Sequence, residues 1–220
     1  MKPSGSFKTL PFLAQCIIVL FAALGFTSAI YAIWSQSIDN PTRFVVLLVV
    51  AAVSAQAKTK FYPEATISFL TFVVMVAVIS ESLAVSILVG VCGVTVQTVL
   101  RSKKRIPHRL VFNLGMISLT VTAAWWTHHV LSMIAQSSRS ISDEMAATVL
   151  ASLVYFIGNS ISVALMVAIT RMVRLLDLWT NHFMRSAPSF VTAGLLAFGM
   201  VGLLVSSSLP YQLLSSWSRH

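Results

Sequence analysis

The chain has 220 residues, of which 57% are hydrophobic and only 10% are charged. A soluble protein of this length has too small a core to hide so much apolar surface, so the soluble globular classes are excluded. The formal net charge of +9 would suggest nucleic-acid binding in a soluble protein. Here the basic residues lie in short segments beside apolar runs, where membrane topology and anionic headgroups account for them, and we expect no nucleic-acid partner.

Seven apolar runs follow one another along the chain, and each is interpreted as a transmembrane helix: 11–34, 44–57, 62–80, 82–100, 109–127, 145–170 and 188–209. The first run continues through Trp34 and is long enough to span, which favours a retained helix over a cleaved signal peptide. No long polar stretch separates the runs. The sequence therefore predicts one integral membrane domain over residues 1–220, an all-α polytopic helix bundle of about seven spans (six to eight).

The basic residues are distributed unevenly between the two sides that these spans define. With the N-terminus inside, 12 of the 15 Lys and Arg residues fall in inner segments, and the outer segments carry only Arg43, Arg139 and Arg219. Basic loops resist translocation, so this asymmetry predicts a cytoplasmic N-terminus.

The connection between the third and fourth runs consists only of Ser80, Glu81 and Ser82. Such a connection joins either two antiparallel spans or a re-entrant element that does not cross fully, and both alternatives remain open. A buried Glu81 carboxylate would carry a proton or pair with a ligand. Because Glu81 lies at a helix end, we favour instead a side chain in water at the membrane interface.

Small and polar residues form stripes at helical spacing on several runs. Two interpretations remain open. One is close helix packing, with candidate positions Ser82, Ser86, Gly90, Gly93, Gly199 and Gly202. The other is a buried ligand pocket, with candidate positions Gln97, Asn113, Tyr155 and Asn159.

No motif in the chain supports catalysis, a cofactor or a metal site. Cys16 and Cys92 lie inside apolar runs, where cysteine behaves as a small hydrophobe. The vicinal pair His128-His129 cannot direct both rings to one metal from a regular helix. It follows Trp125 and Trp126, which we interpret as an outer aromatic belt. We therefore expect a protein that is not an enzyme and that needs no cofactor.

Local motifs resemble those of a known membrane region. They are Phe61-Tyr-Pro-Glu-Ala-Thr-Ile-Ser-Phe, Val94-Thr-Val-Gln-Thr-Val-Leu, Arg101-Ser-Lys-Lys-Arg, Arg109-Leu-Val-Phe-Asn-Leu, Val154-Tyr-Phe-Ile-Gly-Asn-Ser-Ile-Ser-Val-Ala and Ala187-Pro-Ser-Phe-Val-Thr-Ala-Gly. Over residues 10–205 the chain resembles the multi-span sensory region that precedes the output domain of many bacterial diguanylate cyclases and HD-type cyclic-di-GMP phosphodiesterases. The resemblance implies a sensory or regulatory role in the bacterial inner (plasma) membrane, with Asn113 and Asn159, and less closely Gln97, at polar intramembrane positions.

The chain departs from this family in two ways. It contains no GGDEF, EAL or HD-GYP motif, so we expect no nucleotide chemistry of its own. Seven spans also leave the C-terminus outside, whereas a cyclase domain must meet its nucleotide in the cytoplasm. An eighth span, which such a protein would need after Leu209-Pro210, is missing, because residues 211–220 are too short to supply it. We therefore expect either a piece of a longer protein or a free-standing relative without an output domain.

Two other functions fit the same sequence. Apolar helices with a polar pocket also resemble the substrate-binding membrane subunits of small-solute importers of the vitamin type. A structural subunit of a membrane complex is the third candidate, and it predicts no ligand. The partners that follow from these alternatives are the lipid bilayer, a small-molecule ligand, and a second copy of the chain or a partner membrane protein.

Overall fold

A computed structural model describes residues 7, 10–56, 58–60, 66–101, 107–134 and 140–217. Within them the elements are α1 (Phe12–Ser35), α2 (Pro41–Ser54), β1 (Lys58–Lys60), β2 (Thr66–Ser68), α3 (Phe69–Ser80), α4 (Leu83–Arg101), α5 (Pro107–Ile134), α6 (Ile141–Arg171), α7 (Leu175–Leu178) and α8 (Ala187–Trp217). A π-helical turn, Trp179–Phe183, and a 3₁₀ turn, Met184–Ser186, join α7 to α8. The motif residues 61–65 and the predicted loop residues 102–106 and 135–139 lie outside the described residues.

Five helical segments are long and apolar enough to cross a membrane: Phe12–Ser35, Leu83–Leu100, Pro107–Ile134, Ile141–Arg171 and Leu175–Ser206. The predicted helical, membrane-type architecture is confirmed at this level. The second and third predicted runs form the shorter helices α2 and α3, of 14 and 12 residues. At about 1.5 Å per residue these helices are roughly 21 and 18 Å long, less than the ~30 Å hydrocarbon core of a bilayer. Helix length alone therefore does not establish the predicted six to eight spans.

A short antiparallel strand pair separates α2 from α3. Lys58 pairs with Ser68 and Lys60 with Thr66. The prediction that the third run is helical throughout 62–80 was therefore wrong at its start, since the helix begins only at Phe69. β-branched Thr66 and Ile67 favour extended backbone, which agrees with this late start.

Helix α3 lies at the centre of the bundle and packs against α2, α4, α5 and α8. Its residues 73–78 are all buried, which is typical of a helix surrounded by protein on every side. Helix α1 lies at the periphery, where Trp34 is 91% exposed and Phe12 is 80% exposed. Such a continuous apolar exterior suits an apolar surrounding solvent.

Contacts between chain segments define two ends of the bundle. At the Glu81 end, Ser82 of the α3–α4 turn hydrogen-bonds to Ser37, which follows α1. At the His108 end, Phe7 before α1 lies with its ring centroid 6.1 Å from that of His108 on α5. Thus α1, α3 and α5 run toward the Glu81 end, whereas α2 and α4 run away from it.

The last two long helices continue this alternation. On α6, Gly158 faces Thr120 of α5, and the rings of Tyr155 and Phe156 lie 5.9 and 5.2 Å from that of Phe190 on α8. Farther along α8, Gly194 faces Ser152 of α6. Increasing residue numbers on α8 therefore match decreasing numbers on α6, so the two helices are antiparallel.

Candidate functional site

The α3–α4 turn is built by serine hydroxyl groups. Ser86 Oγ donates to the backbone oxygens of Ala77 on α3 and Ser82 in the turn, at 3.0 and 2.9 Å. The Ser82 hydroxyl accepts a hydrogen bond from Val85 N–H at 3.4 Å, as an N-cap residue does at the start of a helix. These contacts tie α3 to α4 and hold Glu81 at a fixed place between them.

An ion pair joins this turn to the start of α2. Asn40 caps α2 by accepting from the Arg43 N–H at 3.0 Å, and Pro41 occupies the first helical position, so Arg43 lies in the first turn. Arg43 Nε lies 2.7 Å from Glu81 Oε1. The Arg43 side chain is 41% exposed, whereas the Glu81 side chain is only 12% exposed. The expectation that Glu81 lies in water was therefore wrong, because the turn packs its carboxylate against the bundle.

Burial is the main influence on the ionisation of Glu81. Desolvation raises the pKa of the Glu81 carboxyl, the positive charge of Arg43 opposes that rise, and the negative charge of Asp39 adds to it. Asp39 is held nearby by a 2.8 Å hydrogen bond from the Ser37 hydroxyl. The raised pKa means that the single ion pair does not fully offset the cost of taking the carboxylate out of water.

Helix α1 and helix α5 complete the polar junction, a name we use for residues 36–43, 80–84 and 125–132. Gln36 Oε1 accepts from the Ala84 N–H at 3.3 Å, which links the end of α1 to the start of α4. Trp125 Nε1 of α5 donates to the Glu81 backbone oxygen at 3.0 Å. Three parts of the chain that are distant in sequence therefore meet around Glu81.

The α5 face of the polar junction carries buried polar atoms with unused hydrogen-bonding capacity. The ring of His129 stacks on that of Trp125 at 3.7 Å. His128 is 7% exposed, and neither its Nδ1 nor the Ser132 Oγ one turn later has a partner among the described residues. Buried polar atoms are normally satisfied by protein, water or a ligand. The junction therefore has a hydrogen-bonding capacity that a small polar molecule or water can use.

The four predicted pocket residues are spread along the bundle. Near the His108 end, Asn113 Nδ2 donates to Thr98 Oγ1 at 3.1 Å, one position beyond Gln97 on α4. Tyr155 is buried on α6 against Phe190 of α8, and Asn159 is half-buried one turn later. Since Gly158 faces Thr120, Asn159 lies about 10 Å along α5 from the level of Asn113, and Tyr155 farther still. The structure brings Asn113 close to the Gln97 turn, and it places Tyr155 and Asn159 elsewhere.

The predicted packing residues have contrasting surroundings. Ser82 and Ser86 form the turn contacts described above. A methyl group added at Gly90 would lie 3.2 Å from side-chain atoms of Ile117 and Val121, and one added at Gly93 would meet Leu70. Gly199 and Gly202 have no atom within 4 Å of such a group among the described residues, so packing through them remains a prediction about another molecule.

Sequence reasoning missed the ion pair and the buried face of His128. The available signals were weak: Arg43 is an isolated basic residue on the predicted outer side, and Glu81 was considered as a buried carboxylate but not favoured. Pairing between them depends on the return of α3 to the level where α2 begins, which no local pattern encodes. Among the described residues no three His, Cys, Asp or Glu side chains are placed to hold one metal ion.

No family model, curated protein or solved structure matches this chain.

Proposed function

We propose that the chain is a membrane-embedded sensory or regulatory domain without catalytic activity of its own, crossing a bacterial inner membrane seven times. The N-terminus lies in the cytoplasm and the Glu81 end faces outward. The polar junction is the observation that carries this proposal, since it joins three chain segments through one ion pair and two hydrogen bonds. It also leaves hydrogen-bonding atoms of His128 and Ser132 for a stimulus molecule.

The alternation of the helices supports seven crossings. Helices α1 to α5 run alternately toward and away from the Glu81 end, so α2 and α3 each carry the chain from one end of the bundle to the other. The strand pair between them contains Lys58 and Lys60, which belong to the inner segment. Because α2 and α3 are shorter than the ~30 Å hydrocarbon core, these two crossings require local thinning of the bilayer.

Labelling of single cysteines tests this topology. In a variant with Cys16→Ala and Cys92→Ala, we expect Ile38→Cys and Ser140→Cys to react with an impermeant maleimide in intact spheroplasts. Arg174→Cys should react only after the membrane is permeabilised. Labelling of Ile38→Cys and Ser140→Cys from opposite sides would refute the proposed crossings of the segments between them.

A sensory role requires two conformations whose populations a stimulus shifts. Because α2 is joined to the α3–α4 turn by the Arg43–Glu81 pair at its first turn, loss of that pair would free the outer end of α2. Protonation of Glu81 or a ligand bound at His128 and Ser132 would change the energy of this contact. The proposed output is a shift of α2 relative to α5.

Spin labels on α2 and α5 test this role. Val46 and Met133 have exposed side chains, so each can be replaced by a spin-labelled cysteine. We expect two distances between the labels, with relative populations that change on acidification. Glu81→Gln should keep the populations of the acidic state at neutral pH. Val46 paired with a cysteine at Val53 on the same helix serves as a control whose distance should stay constant. One unchanging distance between α2 and α5 under all conditions would reject a pH-driven shift.

The polar intramembrane residues give a second test of the sensory role. We expect Asn113→Ala and Asn159→Ala to change the relative populations of the two α2–α5 distances clearly. The free energy of unfolding should fall by only about 1 kcal/mol or less, as is typical of hydrogen bonds between membrane helices. Thr192→Ala, which removes an exposed hydroxyl bonded within α8 and far in sequence from the polar junction, is the control. If the two Asn variants are strongly destabilised but, where folded, keep the wild-type populations of the two distances, Asn113 and Asn159 serve packing instead.

His128 Nδ1 and Ser132 Oγ, which have no partner in the part of the chain that the structure describes, also favour a second function, capture of a small solute for import. This function predicts a molecule that co-purifies with the chain and raises its thermal stability by mass action. A structural subunit would have neither a co-purifying molecule nor a shift of α2.

A further inference from the structure

A groove of about 410 Å³ lies between α1 and α5 at the His108 end of the bundle. The α1 side is lined by Ile18, Val19, Ala22, Ala23 and Phe26, and the α5 side by His108 and Val111, with Phe7 closing one end. Apart from the His108 ring, all of these side chains are apolar. The groove is therefore suited to a hydrocarbon chain rather than to a polar solute.

The groove arises from the way in which α1 and α5 cross. Their backbones touch where Gly25 meets Gly115, and the rings of Phe21 and Phe112 lie 5.3 Å apart. Beside this contact the small residues Ala22 and Ala23 leave a depression that larger side chains border. Since Val19 is 58% exposed and Phe26 is 41% exposed, the depression opens to the outside of the described bundle.

The length of the groove fits one leaflet of a bilayer. From Ile18 to Phe26, α1 rises roughly 12 Å at about 1.5 Å per residue. Half of a ~30 Å hydrocarbon core is of similar thickness. An acyl chain lying in the groove would therefore extend from the His108 end toward the middle of the membrane.

The exposed side chain of Arg109 provides a positive charge at the His108 end of the groove. Arg109 follows His108 directly and is exposed, and the preceding sequence contains Lys103, Lys104 and Arg105. Basic side chains beside an apolar groove between transmembrane helices favour a lipid with an anionic headgroup. We propose that this groove binds an anionic phospholipid, with one acyl chain along α1 and the phosphate against His108 and Arg109.

Lipid retention by the purified full chain tests this proposal. The protein is extracted in mild detergent, incubated with phosphatidylglycerol or phosphatidylcholine of identical chains, and examined by native mass spectrometry. We expect preferential retention of phosphatidylglycerol. Ala23→Phe should abolish retention of both lipids by filling the groove, and Arg109→Gln should lower the preference about fivefold while retention of phosphatidylcholine stays the same.

Two matched variants control for general effects on the surface. Val49→Phe enlarges an exposed apolar residue on α2, and Arg174→Gln removes an exposed charge after α6. Both should retain phosphatidylglycerol as the wild type does. Equal retention of the two lipids by the wild type would show only annular lipid and overturn the proposal. Full retention by Ala23→Phe, with thermal unfolding showing a folded protein, would also overturn it; should Ala23→Phe fail to fold, Ala22→Leu is measured in its place.

Discussion

Replacement of Gly115 by Ala is expected to destabilise the protein by about 3 kcal/mol, the upper part of the usual range for overpacking. The added methyl would lie 2.5 Å from the backbone carbon of Phe21 and 2.8 Å from the nitrogen of Ala22. Backbone atoms cannot rotate away, so the two helices must separate. Separation would weaken the 2.7 Å hydrogen bond between Ser28 and Thr122.

Gly25 provides a partner variant at the same crossing. A methyl added at Gly25 would lie 2.5 Å from Gly115 Cα, so Gly25→Ala should have a similar effect. Because both changes push the same two backbones apart, the double variant should cost less than the sum of the single ones. The free energy of unfolding in mixed micelles measures each effect.

Gly202→Ala and Gly199→Ala are the matched controls, since nothing lies within 4 Å of either added methyl among the described residues. Their stability should change by less than about 1 kcal/mol, in either direction, because only helix propensity is altered. If Gly115→Ala is as harmless as Gly202→Ala, the close α1–α5 crossing is not present in the membrane.

The glycines illustrate what a sequence stripe can and cannot predict. The stripe on α4 placed Gly90 and Gly93 on one face, and in the structure both lie against neighbouring side chains. The pair on α8 follows the same spacing, yet faces no described residue. Gly25 and Gly115 are isolated within their helices and form no stripe, so only the three-dimensional crossing reveals them.

Helix prediction was most accurate where apolar runs were long. The first run, 11–34, became Phe12–Ser35, and the fourth, 82–100, became Leu83–Arg101. The fifth run, 109–127, lies within the longer helix Pro107–Ile134, which continues past the predicted aromatic belt at Trp125 and Trp126. Hydropathy identifies apolar stretches, but it does not fix where a helix ends inside surrounding protein.

The candidate site was less accessible to sequence reasoning for a related reason. Asn113, selected as an intramembrane polar residue, does bond to a neighbouring helix through Thr98. The polar junction instead depends on two returns of the chain to the level where α2 begins, so that Arg43, Glu81 and Trp125 meet. Such contacts follow from helix lengths and crossings, which a single sequence specifies only through the whole fold.

Arg43→Gln is expected to destabilise the protein by about 1 to 2 kcal/mol near neutral pH, whereas Glu81→Gln should change stability by less than that. Removing one member of an ion pair leaves the charge of the other uncompensated, and the cost is large only when the remaining charge is buried. Here the carboxylate is 12% exposed and the guanidinium 41% exposed. In Glu81→Gln the exposed guanidinium can regain water, so little stability is lost. Because the Arg43–Glu81 pair is only partly buried, the destabilisation expected for Arg43→Gln is also smaller than that for a fully buried pair.

The pH dependence of this effect distinguishes the ion pair from simple packing. Burial raises the pKa of the Glu81 carboxyl above its ordinary value in an unfolded chain. The folded state therefore holds this proton longer, and the contribution of Glu81 to stability is present at low pH and is lost as pH rises through the folded pKa. Loss of Arg43 removes the influence that lowers this pKa, so the folded pKa of Glu81 is higher still in Arg43→Gln. The destabilisation by Arg43→Gln should therefore be nearly zero below the folded pKa of the wild type and reach its full value above the folded pKa of the variant.

The double variant Arg43→Gln, Glu81→Gln completes this experiment. Because the neutral amide needs no counter-charge, the double variant should recover most of the stability lost in Arg43→Gln and should lack its pH dependence. Thermal unfolding of all four proteins across the acidic and neutral range gives the coupling free energy between the two side chains. A loss in Arg43→Gln that is constant with pH and persists in the double variant would mean that Arg43 acts through packing of its aliphatic stem, and the polar junction would then have no charge contact for a stimulus to control.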